Sequence, residues 1–137
     1  MRWQSWLAVA LLLFSVSAVA AIEFRPYPRE RITEAQWKSY FDSVKKALGA
    51  SAQELKQHRL VVFHDNATAT SYAFTERGHA AHPAWVARRI VSRDGVLNVE
   101  QIGYFAGAEP PFAKLFAEYQ ATNKRMIEEL KRNQSKR

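Results

Sequence analysis

The chain contains no cysteine among its 137 residues. No disulfide can staple it, and no thiolate can act as a nucleophile or metal ligand. A lipid anchor attached through a cysteine is excluded for the same reason. Glycine and proline are sparse, at five each. That excludes collagen-like and low-complexity classes, and no internal repeat is present. There is no glycine-rich phosphate loop and no Ser-His-Asp order. No apolar run reaches the roughly 20 residues that a membrane-spanning helix needs. Acidic residues are also in deficit: 20 Lys and Arg stand against 13 Asp and Glu, for a formal charge of +7.

What is present begins with a leader. Met1-Arg2 supplies a short positive start, Trp6 to Val16 is almost unbroken apolar sequence, and Ala18-Val19-Ala20 has small residues at alternate positions. This pattern predicts a cleavable secretory signal over residues 1–20, cut after Ala20 or Ala21. An uncleaved anchor would need a longer run and a following stop-transfer charge. Removing the leader takes one Arg and no acid, so 20 basic residues become 19 against 13 acids, a formal +6. The remaining chain of about 117 residues is long enough to bury a core without covalent staples. An exported chain without cysteine fits the bacterial periplasm, with full secretion as the alternative. Nucleic acid is not an expected partner there. A protein or an anionic envelope component is, with membrane contact only peripheral. Asn66-Ala67-Thr68 matches a glycosylation sequon by chance in such a chain.

Residues 21–31 carry Pro26 and Pro28 among aromatics and arginines and read as an extended arm, pinned by Ile22 and Phe24. A single domain follows over 32–132, then a basic tail over 133–137. Thr33 and Gln36 form a capping box, with Ile32 and Trp37 as a hydrophobic staple. Trp37, Tyr40, Phe41, Val44 and Leu48 recur at helical spacing, and Gly49 stands where a helix-terminating glycine belongs. Ser51 to Gln57 reads as a short helical turn. Arg59 to Asp65 is a strand apolar on both faces, and Thr68 to Glu76 is a strand with Thr70, Tyr72 and Phe74 on its crowded face.

Trp85 to Phe105 is the strongest local signal. Asp94-Gly95 between runs rich in Val and Ile specifies a two-residue type I′ hairpin. Its register pairs Arg93 with Val96, Ile90 with Val99, Arg89 with Glu100, Ala87 with Ile102 and Trp85 with Tyr104. Arg89 and Glu100 are thereby expected to form a structural ion pair. A long helix starts near Pro111 and carries Phe112, Leu115, Phe116, Tyr119, Met126, Ile127 and Leu130 on one stripe, interrupted by Thr122 and Asn123. The fold class is therefore α+β: an antiparallel four-stranded meander packed by an N-terminal helix and a long C-terminal helix. Both helices are expected on one face of the sheet.

Gln36-Trp37, Leu48-Gly49, Asp94-Gly95 and Gly103-Tyr104 carry a family resemblance. The order of parts resembles the cystatin-like and nuclear-transport-factor-2-like curved-sheet domains. It is more closely similar to exported bacterial domains of unknown function in which a Gln-Trp-led helix ends in Leu-Gly. In those domains the sheet closes with an acidic-Gly turn and a Gly-Tyr pair. The resemblance spans about Ile32 to Phe105 and implies a fold more than an activity. The helix after Phe105 departs from that pattern.

Three groups of residues are candidates for function. Tyr72, Trp85, Arg88 and Tyr104 would line a pocket between sheet and helix. His58, His79 and His82, with Glu76 as a possible carboxylate, have the ligand chemistry of a zinc site, whereas strand geometry sets His64 well apart from them. His64-Asp65 as an acid/base dyad is disfavoured because adjacent strand residues face opposite ways. Lys124, Arg125, Lys131 and Arg132 form a basic helical surface, for which a solvated face is the ordinary account. No cofactor is required. The expected function is that of a small periplasmic binding or accessory protein, non-catalytic, with an inhibitor or immunity role inside that class. The alternative is a small pocket enzyme or ligand-binding protein of the curved-sheet type using the histidines, with zinc.

Overall fold

A computed structural model describes residues 21–136. The leader expected over 1–20 lies outside them. The described chain is α+β: helix α1 (Glu34–Leu48), five strands, and helix α2 (Glu109–Ser135). The strands are β1 (Gln53–Leu55), β2 (Leu60–Asp65), β3 (Thr70–Thr75), β4 (Ala84–Arg93) and β5 (Val96–Phe105). They form one antiparallel sheet in sequence order.

The meander has five strands rather than four. β1 occupies part of the stretch read as a helical turn. It has three residues with Leu55 as its only large apolar side chain, too few to show a period of two. Ser51 does not cap a helix after it. Its Oγ donates to Leu48 O at 2.6 Å and accepts from His64 N at 2.9 Å, tying the end of α1 to β2.

The two helices lie on opposite faces, which corrects the expectation of one shared face. Alternation along the strands decides it. Val61, Phe63, Tyr72, Phe74, Trp85 and Tyr104 pack with Tyr40 and Val44 of α1. Leu60, Ala84, Val86 and Phe105 pack with Phe112 and Leu115 of α2. A sheet apolar on both faces needs two covers, and β2, buried on both sides, already carries that pattern.

The α1 face is aromatic. Tyr40 stacks on Trp85 with centroids 4.3 Å apart, and Trp85 packs on Tyr104 at 4.7 Å. The hydroxyls escape to backbone acceptors in the arm: Tyr40 donates to Glu23 O at 2.6 Å and Tyr104 to Tyr27 O at 2.8 Å. Each tyrosine thus buries its ring and keeps a polar partner. The arm is pinned as expected, with Phe24 buried and Ile22 packed against the same cluster. At its end it joins β5: Phe105 N donates to Glu30 O at 2.9 Å and Ile32 N to Phe105 O at 3.0 Å.

Both halves of the Thr33–Gln36 capping box form. Gly49, however, sits at φ −57°, right-handed, and continues into a short 3₁₀ turn. Its glycine identity is therefore not demanded by a left-handed cap. Gly103 is demanded by packing, because an added Cβ would lie 2.6 Å from Phe112 Cζ and 3.0 Å from Phe116 Cδ2. Helix α2 runs through Ser135, so most of the stretch read as a tail is helical.

Two outcomes follow from this packing. In urea unfolding, Gly103→Ala should lose about 1–3 kcal/mol by overpacking. Gly49→Ala, whose Cβ meets nothing within 4 Å, should gain about 0.4–1 kcal/mol by restricting the unfolded chain. Burial also pushes the phenols of Tyr40, Tyr72 and Tyr104 above their ordinary 10.0. Held neutral in the fold, they contribute stability that is complete below pH 10.0 and lost as pH rises through their raised values. The urea midpoint should therefore fall above that pH, with the phenolate absorbance of these three tyrosines appearing as the chain unfolds.

Candidate functional site

The hairpin register sets out a polar row on the α2 face. His64 pairs with Ser71, Ser71 with Arg88, and Arg88 with Gln101, so one residue from each of β2 to β5 stands in line across the sheet. Helix α2 crosses above this row. Its stripe is broken at Asn123 because the surface below is polar at that point. Asn123 is buried and uses both ends of its amide. Arg88 Nη1 donates to Asn123 Oδ1 at 3.1 Å, and Asn123 Nδ2 donates to Gln101 Oε1 at 2.6 Å. Gln101 Nε2 in turn donates to Phe116 O at 2.9 Å. The relay fastens the middle of α2 to β4 and β5.

Arg88 is the charged centre of this arrangement. Its guanidinium carbon lies 4.4 Å from the Tyr119 ring centroid, a cation–π contact. Burial pulls its pKa down from the ordinary arginine value, and burial raises that of Tyr119. An arginine nevertheless stays charged. No acid forms an ion pair with it among the described residues. Arg88 instead borders an open groove of about 400 Å³, with His64, Asp65, Asn66, Thr70 and Ser71 on its polar side and Ile90, Val99 and Met126 on its apolar side.

The four residues proposed from sequence to share a pocket do not share one. Tyr72, Trp85 and Tyr104 are fully buried in the aromatic cluster on the α1 face, where neighbouring rings fill the space. Arg88 projects from the opposite face because its register parity differs from theirs. Trp85 Nε1 is buried without a hydrogen-bond partner, enclosed by the aromatic cluster. Arg89, one residue from Arg88, takes the α1 face, where its Nε donates to Thr70 Oγ1 at 2.9 Å and its guanidinium lies over Phe24. The expected Arg89–Glu100 ion pair is replaced by Arg93–Glu100 at 2.7 Å. Arg89 and Glu100 are still backbone partners, but Arg89 is drawn to Phe24 and Thr70, and Arg93 at the strand end reaches back to the acid.

The histidines are each engaged separately. His82 Nδ1 lies 2.9 Å from Thr75 Oγ1 and 3.1 Å from Thr75 O, and its ring meets Trp37 edge-on at 5.1 Å. His79 Nδ1 accepts from Ala81 N at 3.0 Å, and burial lowers its pKa against the opposing pull of Glu118. His58 lines a small cavity with Glu118 and Tyr119. Glu76 follows β3, its backbone N–H donating to Arg59 O at 2.9 Å. No group of three or more His, Asp or Glu side chains converges as a metal site among the described residues. Asp65 is also committed, accepting from Ala67 N at 3.2 Å and Thr68 Oγ1 at 2.9 Å, which removes it from partnership with His64.

Among the basic candidates, Lys124 and Lys131 share a second cavity with Val99 and Ile127, while Arg125 leans back to Thr122 Oγ1 at 3.3 Å. Arg132 is exposed in the last turns. Asn123 and Gln101 are the site residues that sequence reading missed. The available signal was a polar residue at a position where the apolar stripe of α2 required a buried one.

The chain matches no protein-family model, no curated protein and no solved structure.

Asn123→Ala should cost about 1–3 kcal/mol, because Arg88 and Gln101 both lose a buried partner. Combined with Gln101→Ala, the loss should fall short of the sum of the single losses by at least about 0.5 kcal/mol in urea unfolding. Strict additivity would show that the relay does not act as one unit.

Proposed function

We propose that this is a small, non-catalytic binding protein of the bacterial periplasm that holds its partner through an anionic group seated on Arg88. The reading is carried by one observation: a half-buried guanidinium that is in no ion pair among the described residues borders an open groove, whose acid, Asp65, is engaged by Ala67 N and Thr68 Oγ1. Burying a cation without a counter-charge is costly, and an incoming carboxylate or phosphate removes that cost while gaining charge-assisted hydrogen bonds. The Ser71 hydroxyl, beside Arg88 in the register, can hydrogen-bond a bound oxyanion, whereas Thr70 is taken by Arg89 and Thr68 and Asn123 by Arg88 and Gln101. The surplus of basic residues favours the approach of such a partner, which is a protein or an acidic envelope component. Arg88 can position an anion without exchanging a proton near neutral pH, and Asp65, which also lines the groove, is held by Ala67 N and Thr68 Oγ1 rather than by His64, which favours a binding role for the groove.

A second reading, a small-ligand protein of the curved-sheet type, is favoured by the groove's mixed lining. Ile90, Val99 and Met126 beside Arg88 suit a short amphiphilic carboxylate, and about 400 Å³ lies within the usual range for small-molecule sites.

The mature chain, immobilised and exposed to envelope extract at low salt, should retain a partner identifiable by mass spectrometry. Arg88→Gln, which also alters the bond to Asn123 and is therefore assayed well below its own melting temperature, should retain about tenfold less, the loss expected for one charged hydrogen-bonding group. Equal recovery by both chains would sink the proposal. Retention of no macromolecule, together with a hexanoate-induced rise in melting temperature that Arg88→Gln abolishes, would select the second reading.

A further inference from the structure

The two edges of the sheet are unlike. β1 closes one edge with three residues, whereas β5 leaves ten residues along the other. In a two-residue hairpin the residues flanking the turn bond to each other, and bonded pairs alternate from there. Val96, Asn98, Glu100, Ile102 and Tyr104 therefore face β4 with their backbone groups. Leu97, Val99, Gln101, Gly103 and Phe105 point theirs away from the sheet. Phe105 verifies the parity, since its N–H and C=O are the groups that the arm takes at Glu30 and Ile32. The arm goes no further along the edge as a strand, and Pro28 and Pro26 have no N–H to offer. The backbone groups of Leu97, Val99 and Gln101 have no hydrogen-bond partner among the described residues.

Exposed edges are ordinarily blunted by lysine, proline or a bulge. β5 has no lysine and no proline, and its pairing with β4 is unbroken over all ten positions. The edge is instead flanked by a cavity on either side. One, of about 590 Å³, lies between Ile102 and Tyr104 and the arm, with Arg25 and Arg29 against Glu30. The other, of about 340 Å³, lies between Asn98 and Val99 and α2, with Lys124 and Lys131 against Glu128. None of these four cations is in an ion pair among the described residues.

We infer that β5 receives an extended, acidic peptide segment of a partner protein as a sixth strand. Main-chain bonds to Leu97, Val99 and Gln101 would supply affinity. The side chains of an added strand alternate between faces, so successive ones fall toward the arm cavity and the α2 cavity. Two cations against one acid in each cavity select acidic side chains. A second copy of this chain is the poorer occupant, because pairing β5 with β5 would bring the basic rims together on chains that already carry net positive charge. The edge shares Val99 with the Arg88 groove, its side chain lining the groove and its backbone pointing out along the edge, so hexanoate competition separates the two.

The test pans a phage library of random ten-residue peptides on the mature chain and measures recovered peptides by fluorescence anisotropy. Enriched sequences should alternate apolar residues and carry acids, and hexanoate should not displace them. Val99→Pro removes one outward N–H while sparing the β4–β5 ladder, and should weaken binding about tenfold with an unchanged melting curve. The pair Arg29→Glu and Lys131→Glu, on exposed residues, should weaken it at least as much and decides the matter if the proline variant is unfolded. Absence of enrichment, enrichment of basic peptides, or binding that survives the charge reversals would overturn the inference. So would a dimer in sedimentation that Val99→Pro dissolves.

Discussion

The two-residue turn at Asp94-Gly95 determines which face every side chain of the hairpin takes. Both residues hold positive φ, 52° and 77°, and close the turn without an extra residue. One residue more or fewer would exchange the two faces of β5 against those of β4. Trp85 and Tyr104 would then no longer meet under Tyr40, and Arg88 and Gln101 would no longer meet under Asn123. The aromatic core and the polar relay are thus two products of one register. The same register exposes the alternate backbone groups along the outer edge.

Much of this was legible before any coordinates. The hairpin pairs, the capping box at Thr33 and the stripes of both helices follow from turn chemistry and periodicity, which act over a few residues. What escaped was set by distant parts of the chain. β1 is three residues long and is a strand only because β2 lies beside it. Gly49 resembles a terminating glycine, but the chain turns there through a right-handed 3₁₀ step secured by Ser51. The placement of α2 on the face opposite α1 was implicit in the doubly apolar β2, though helix stripes alone do not say which side of a sheet they meet.

The candidate site was less legible for a related reason. Composition draws attention to histidines and aromatics, yet here the aromatics fill the core, and two of the histidines, His79 and His82, hold the connection between β3 and β4. The groove depends on residues of ordinary appearance, Arg88, Gln101 and Asn123, that are separated widely in sequence and joined by one row of strand pairs. Arg88 and Arg89 are adjacent and chemically identical. Phe24 covers one and the groove exposes the other, so only tertiary structure tells them apart.

The arm at the start of the described chain carries one more consequence. Its hydrogen bonds run to β5 and its tyrosine partners come from α1 and β5, and the bridge from Arg31 to Phe105 joins nearly opposite ends of the sheet's sequence. Contacts of such sequence separation are entropically slow to close. The aromatic face cannot be sealed until Phe105 has been synthesised and β5 has found β4. Any shorter nascent chain carries an open core and a loose amino-terminal segment, so closure of the aromatic face waits on synthesis of the chain through Phe105.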